Sequence, residues 1–274
     1  MVVATLVSFT ARALAADKFP KACVPFGAAA LHHPIDTACS KSGQPDTDAD
    51  KLQDLLKNNF CATGTATQIK ISDLVALQAA VDADPSIKYG NNHKGGHGPP
   101  DDRTPLKNLP GVSFKEGDVV FMVGYIVDAH YSPKSNGTVG ESCNCHRTGQ
   151  ASHDIHLALS DQQLQITKAN KTSQLCGTVS AEVIPHYRPQ TWEVANIEQA
   201  SDFPVKITGQ LFFDGSHKPC KGKKAGGGDP ARASEWEIHP VYKFEVCTNH
   251  DLSDCDPNNA SVWTRLDKWT EEDF

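Results

Sequence analysis

The sequence predicts a mainly β protein with a helical segment on its N-terminal side. Three observations carry that expectation. Five stretches between residues 117 and 246 are rich in β-branched and aromatic residues or alternate polar with apolar ones. A helical stretch, residues 192–202, separates the third from the fourth. Residues 46–83 carry a helical pattern instead. The order strand, strand, strand, helix, strand, strand is that of an OB-type five-stranded Greek-key barrel. A two-sheet β-sandwich is the alternative.

In chain order, residues 1–16 read as a secretory signal peptide. VVATLVSF is apolar and Ala13-Leu14-Ala15 suits cleavage, although Arg12 sits late and no basic residue precedes the apolar run. Residues 17–87 form the helical segment packed on the barrel. Asp46, Asp48 and Asp50 lead into LQDLLKNNF, and acidic side chains suit a helix N-terminus; Leu52, Leu55 and Leu56 share its apolar face. TATQIKI, residues 65–71, is a short strand, and Ser72 caps a second helix in which Leu74 and Leu77 face inward. Residues 88–112 are a Gly/Pro-rich polar loop that holds His93 and His97. The barrel spans residues 113–250, with strands at 117–132, 153–160, 178–185, 203–214 and 235–246. Gly124, inside the first of these, marks a bulge or bend. Residues 251–274 form a C-terminal tail.

The formal net charge is −7, and the only basic run is KPCKGKK at 218–224. A protein that binds nucleic acid by neutralising phosphates needs a broad basic surface, so nucleic acid is not the favoured partner. The KPCKGKKAGGG run reads as a solvated loop. After the N-terminal stretch, no segment has the roughly 18 apolar residues of a membrane helix. Nine scattered cysteines in an exported chain point to disulfides, with one thiol left over. The localisation expected is secreted or periplasmic.

ESCNCHRTGQASHDIH, residues 141–156, concentrates two cysteines and three histidines. Haem attachment needs Cys-x-x-Cys-His, and Cys143-Asn144-Cys145-His146 is one residue short. Zinc ligation remains open, because two thiolates and an imidazole suit that ion. The structural reading leads: Cys143 and Cys145 each bridge elsewhere and pin a loop.

Alternation sorts the strand faces. Ile155, Leu157, Leu159, Val179, Ala181, Val183, Trp236 and Ile238 point inward. Asp154, His156, Ser180, Glu182, Glu235, Glu237 and His239 then point outward. Three adjoining strands would gather these groups onto one outer patch. Asp154, His156, Glu237 and His239 are the candidate metal ligands, since a carboxylate can ligate or hold an imidazole tautomer. One divalent metal (zinc, manganese or calcium) is the cofactor such a patch would take. His156, His239, His217, His186 and Arg188 are the candidate catalytic groups, Arg188 as an anion fork. No nucleophile elbow, phosphate-binding loop, His-Glu-x-x-His or dinucleotide fingerprint is present.

The runs KNNFCATG, GESCNC, DIHLAL, PHYRP, GQLFFDGSHKPC and EWEIHPVYKFEVC resemble an uncharacterised family of exported bacterial proteins, over roughly residues 50–250. The resemblance implies export, and it implies that Cys61 and the first helix belong to the same unit as the barrel. It carries no activity or residue role.

Two function classes follow. One is an exported metal- or histidine-dependent hydrolase of a phosphodiester or similar ester. The other is a non-catalytic module that binds an oligosaccharide, nucleic acid or envelope component, a polymeric ligand stacked on Tyr125, Tyr187, Trp192 and Trp236, although alternation turns Trp236 into the core. A disulfide-pinned structural protein is the plainer form of the second class.

Overall fold

All five long β stretches become strands in the computed structural model, which describes Cys23, residues 34–90 and residues 97–270. The expected signal peptide and His93 lie outside the described residues. The N-terminal segment forms α1 (Ile35–Ala38), α2 (Asp48–Lys57), the two-residue strand β1 (Thr67–Gln68) and α3 (Ile71–Ala83). The long strands are β2 (Val119–Ser132), β3 (Asp154–Ser160), β4 (Val179–Val183), β5 (Val205–Phe213) and β6 (Trp236–Cys247). Helix α4 (Lys171–Leu175) precedes β4, α5 (Val194–Gln199) separates β4 from β5, and β7 (Trp263–Arg265) ends the described chain's sheet.

The seven strands form one mixed sheet in the order β1-β2-β3-β4-β6-β5, with β7 on β6. It is one hydrogen-bonded sheet, not the two of a sandwich. A further β2–β5 pairing joins β2, β3, β4, β6 and β5 into a ring. The β4–β6 contact is parallel, and the other four pairings of the ring are antiparallel. Within the ring, strand β2 serves two neighbours: Val119–Gly124 pair with β5, and Tyr125–Ser132 pair with β3, while β1 adds to the outside of β2 at Val120 and Phe121. Gly124 stands at the handover. A Cβ there would lie 2.2 Å from the Ser160 carbonyl oxygen, so only glycine lets the strands meet.

The main core contains Ile155, Leu157, Leu159, Val179, Ala181, Val183, Trp236 and Ile238, the side chains alternation turns inward. Leu74 and Leu77 of α3 and Ile197 of α5 join it. Helix α3 starts one residue before Ser72, however. Its opening turn is closed by Asp73, whose carboxylate accepts the Lys70 N–H at 2.8 Å.

Other expectations change as well. Helix α2 is capped by Thr47, whose side-chain oxygen accepts the Asp50 N–H, but it buries its polar side. Ala49, Asp50, Gln53, Asp54 and Lys57 are buried, while Leu52 is 43% exposed. The protein needs those polar groups inside, as the site shows. The tail is also part of the fold: β7 pairs with β6, Cys255 bonds Cys247, and Trp263, Leu266 and Trp269 are buried. His97, read as part of a plain polar loop, is anchored against the Glu235 carboxylate and stacks on Tyr89.

The disulfides are Cys23–Cys61, Cys39–Cys145, Cys176–Cys220 and Cys247–Cys255. Cys145 thus pins its loop as expected. Cys143 does not bridge; it is the buried free thiol. The Lys218–Lys224 loop is solvated as expected, with Lys221, Lys223 and Lys224 exposed. Among the described residues no helix is long and apolar enough to cross a membrane.

Candidate metal centre

The site grows out of strand register. His156 on β3 stands directly opposite Glu182 on β4. Ala181 pairs with Ile238, which brings Glu182 beside Glu237 and His239 of β6. The outer-face side chains of three strands therefore meet, as alternation requires.

They do not meet in water. Asp154, His156, Glu182, Glu237 and His239 are all at most 1% exposed. Alternation reports which face a side chain takes, not what covers that face. Helix α2, the β2–β3 loop and the β5–β6 loop cover it. Asn58, just past α2, donates to the Cys143 carbonyl at 2.9 Å; Gln44 N–H donates to Ser142 O at 2.8 Å; and Cys39–Cys145 fastens the same loop. From the other side, Cys220 N–H donates to Arg232 O at 2.8 Å and closes the lysine-rich turn back on the β5–β6 loop.

These covering segments deliver charged groups. Lys57 Nζ lies 2.7 Å from Glu141 Oε2, 3.7 Å from Asp214 Oδ2 and 4.0 Å from Glu182 Oε2. Burial pulls the Lys57 pKa down, but Asp214, Glu141 and Glu182 overcome it and keep the ammonium charged. Arg232 donates to Glu237 Oε2 at 2.6 Å and lies 3.9 Å from Glu182.

His156 is held in one orientation. Its Nδ1 faces the Asp229 carbonyl oxygen, which can only accept, so Nδ1 carries the hydrogen. Nε2 lies 3.3 Å from Glu182 Oε1 and 3.4 Å from Glu141 Oε1, in neither case with hydrogen-bond geometry. A bare nitrogen lone pair among carboxylate oxygens is repulsive unless a proton or a cation lies between them. Ligand atoms of Glu141, Asp154, His156 and Glu182 lie within 4.8 Å of one another, and so do those of Glu182, Glu237 and His239. These buried groups could hold a metal ion. Metal-ligating histidines fix their tautomer through the other ring nitrogen, as His156 does.

The electrostatics carry the same demand for positive charge. Burial lowers the His156 pKa, but Glu182 and Glu141 lift it to about 9. Burial likewise opposes a charged His239, and Glu182 and Glu237 lift it to about 10. Asp154 is pushed up to about 6, first by burial and then by Glu141. Protons occupy the centre wherever a cation does not.

Of the expected site residues, Asp154, His156, Glu237 and His239 converge here. His217 stands at the edge, with Nδ1 2.6 Å from Asp214 Oδ2. His186 and Arg188 belong elsewhere. His186 pairs with Asp36 at 3.0 Å. Arg188 donates to the His153 and Gln150 carbonyls at 2.7 and 3.0 Å and pairs with Glu193. Both follow the end of β4 and turn toward the base of the β2–β3 loop and α1, so neither forms an anion fork at the centre. His146 faces the Gly140 and Gln44 carbonyls, and His153 is fully buried.

Lys57, Glu141 and Arg232 are additional to the sequence expectation. For Lys57 a signal existed: Asp50, Gln53, Asp54 and Lys57 form a polar stripe at helical spacing. Glu141 and Arg232 come from loops, which leave no periodic signal.

A cleft of about 400 Å³ opens above the centre, lined by Asp50, Asp54, Lys57, Glu141, His146 and His217 among others. Tyr125, Tyr187, Trp192 and Trp236 are all buried, so the expected stacking platform is not present. No protein-family model, curated protein or solved structure matches the chain.

Proposed function

We propose that this is an exported metal-dependent hydrolase of a phosphodiester or similar anionic ester, with Glu141, Asp154, His156 and Glu182 holding the metal. The observation that carries it is His156: its tautomer is set by Asp229, and its Nε2 faces Glu182 and Glu141, buried beneath an open cleft that Glu141 and Lys57 line. A bound divalent cation supplies Lewis acidity and offsets the carboxylates there. Three carboxylates with one imidazole suit manganese, calcium or zinc.

The chain's own groups do the rest. Water adds to phosphorus and gives up a proton to the Asp54 carboxylate that lines the cleft, the phosphorus–oxygen bond to the leaving alcohol breaks, and the leaving oxygen takes a proton. His217 is placed to give that proton: it lines the cleft, and Asp214 outweighs burial to favour its imidazolium. Asp46, Asp50 and Asp54 make the cleft rim acidic. The substrate is therefore a single ester reaching the floor, not a polyanion lying along the rim.

The ring of strands supports an OB-type barrel, in which the β2–β3 and β5–β6 loops flank the ligand face. Four disulfides support a secreted or periplasmic protein, in keeping with the resemblance to exported bacterial proteins. The test is hydrolysis of a chromogenic phosphodiester by untagged protein, with manganese, zinc or calcium added after exhaustive dialysis. Turnover should need metal and vanish with chelator and with His156→Ala. No turnover of phosphodiester or carboxylic ester with any of the three metals would sink the hydrolase.

A further inference from the structure

We infer that the centre is built for two cations bridged by Glu182, an inference that rests on the metal reading above. The two oxygens of Glu182 face different imidazoles: Oε1 lies 3.3 Å from His156 Nε2, and Oε2 lies 2.8 Å from His239 Nδ1. Glu182 is fully buried, and neither oxygen has a hydrogen bond of ordinary geometry. It is also the residue common to both groups of converging ligand atoms.

The two halves share a composition around it, although His239 Nδ1 is hydrogen-bonded to Glu237 Oε1 while His156 Nε2 has no such bond, so a cation in the second half replaces the proton of that bond. In the first, Lys57 ties down Glu141 Oε2 and leaves Oε1 turned to His156 at 3.4 Å. In the second, Arg232 ties down Glu237 Oε2 and leaves Oε1 turned to His239 at 3.1 Å. Each half thus has one carboxylate anchored by a buried cationic side chain, one imidazole, and one oxygen of the shared glutamate. Asp154 adds a ligand to the first half. A carboxylate that gives one oxygen to each of two ions suits the roughly 3.5–4 Å spacing of two-metal sites.

Manganese is the probe. Untagged wild-type protein is dialysed free of metal and titrated with Mn²⁺; bound ion is counted by equilibrium dialysis, and the sample is examined by electron paramagnetic resonance. Two bound equivalents with a spin-coupled spectrum are expected. Glu237→Gln should fall to one equivalent with the six-line signal of isolated Mn²⁺, while its melting transition remains cooperative. A zinc count by elemental analysis repeats the stoichiometry with a second ion. One equivalent and an isolated signal in the wild type would overturn the bridged pair but leave the single-metal centre standing. Two uncoupled ions would overturn the bridge. No bound manganese or zinc would overturn both this inference and the metal reading beneath it.

Discussion

Lys57 is the residue on which the cluster depends most. It stands among Glu141, Asp214 and Glu182 with its side chain 3% exposed. Removing one partner of a buried ion pair strands the other, at about 3–5 kcal/mol. Lys57→Met should therefore destabilise the metal-free protein by about that amount in urea unfolding, and added divalent metal should recover part of the loss. An unchanged midpoint would mean that the carboxylates are already neutralised by protons. Asp54 gives a pH signature of the opposite kind. Burial raises its pKa from 3.8 to about 7, more than Ser142 and Lys57 lower it. The folded state then holds a proton between about pH 4 and 7 that the unfolded state has released, so stability falls as pH rises through that window. Asp54→Asn removes the penalty. Its melting temperature should exceed wild type by more at pH 8 than at pH 5; an equal difference at both would contradict the raised pKa.

At the scale of elements, α2 shows how far pattern reading reaches. The Leu52, Leu55, Leu56 stripe marks a helix correctly and its buried face wrongly, because the opposite stripe is needed at the site. Gln53 donates to Asp214 Oδ1 at 3.2 Å and to Ser216 at 2.7 Å, and accepts from Arg103 at 3.3 Å. Gln53→Leu should cost about 1–3 kcal/mol by leaving those groups unpaired, whereas Leu52→Glu should stay within about 0.5 kcal/mol. Thermal melts of the two variants separate the cases, and the reverse ranking would restore the leucine face as core. The strands were more legible than the helices. Their alternation placed Asp154, His156, Glu182, Glu237 and His239 on one face, because a period of two admits no other arrangement. The residues that complete the centre come from segments far away in sequence: position 57 on a helix, and 141 and 232 in loops. Local pattern cannot say what folds over a face, so the burial of the patch and the misplacement of Arg188 share one cause.

At the scale of the whole molecule, the covering layer is held by few covalent points. Cys39–Cys145 spans 106 residues and joins the N-terminal segment to the loop carrying Glu141. Closing a loop of that length contributes about 4–5 kcal/mol in the chain-entropy account. Protein kept in reductant should unfold at lower denaturant concentration, and its metal affinity should fall as the loop loosens. Calorimetric titration with and without reductant checks the second point. Equal affinities would show that Glu141 is held by Lys57 alone.

Cys143 lies two residues from Cys145, and its carbonyl is 3.5 Å from Cys39 Sγ. During oxidative maturation Cys39 therefore meets two rival thiols on one short loop. Linkage to the wrong one would drag Cys143 out from beside Glu141 and Asp154 and break the floor of the cleft. Once the native bridge forms, the remaining thiol is sealed inside, where neither another chain nor a small oxidant reaches it. Of the two possible crosslinks, the Cys39–Cys145 bridge is the one that leaves Cys143 in its buried place beside Glu141 and Asp154.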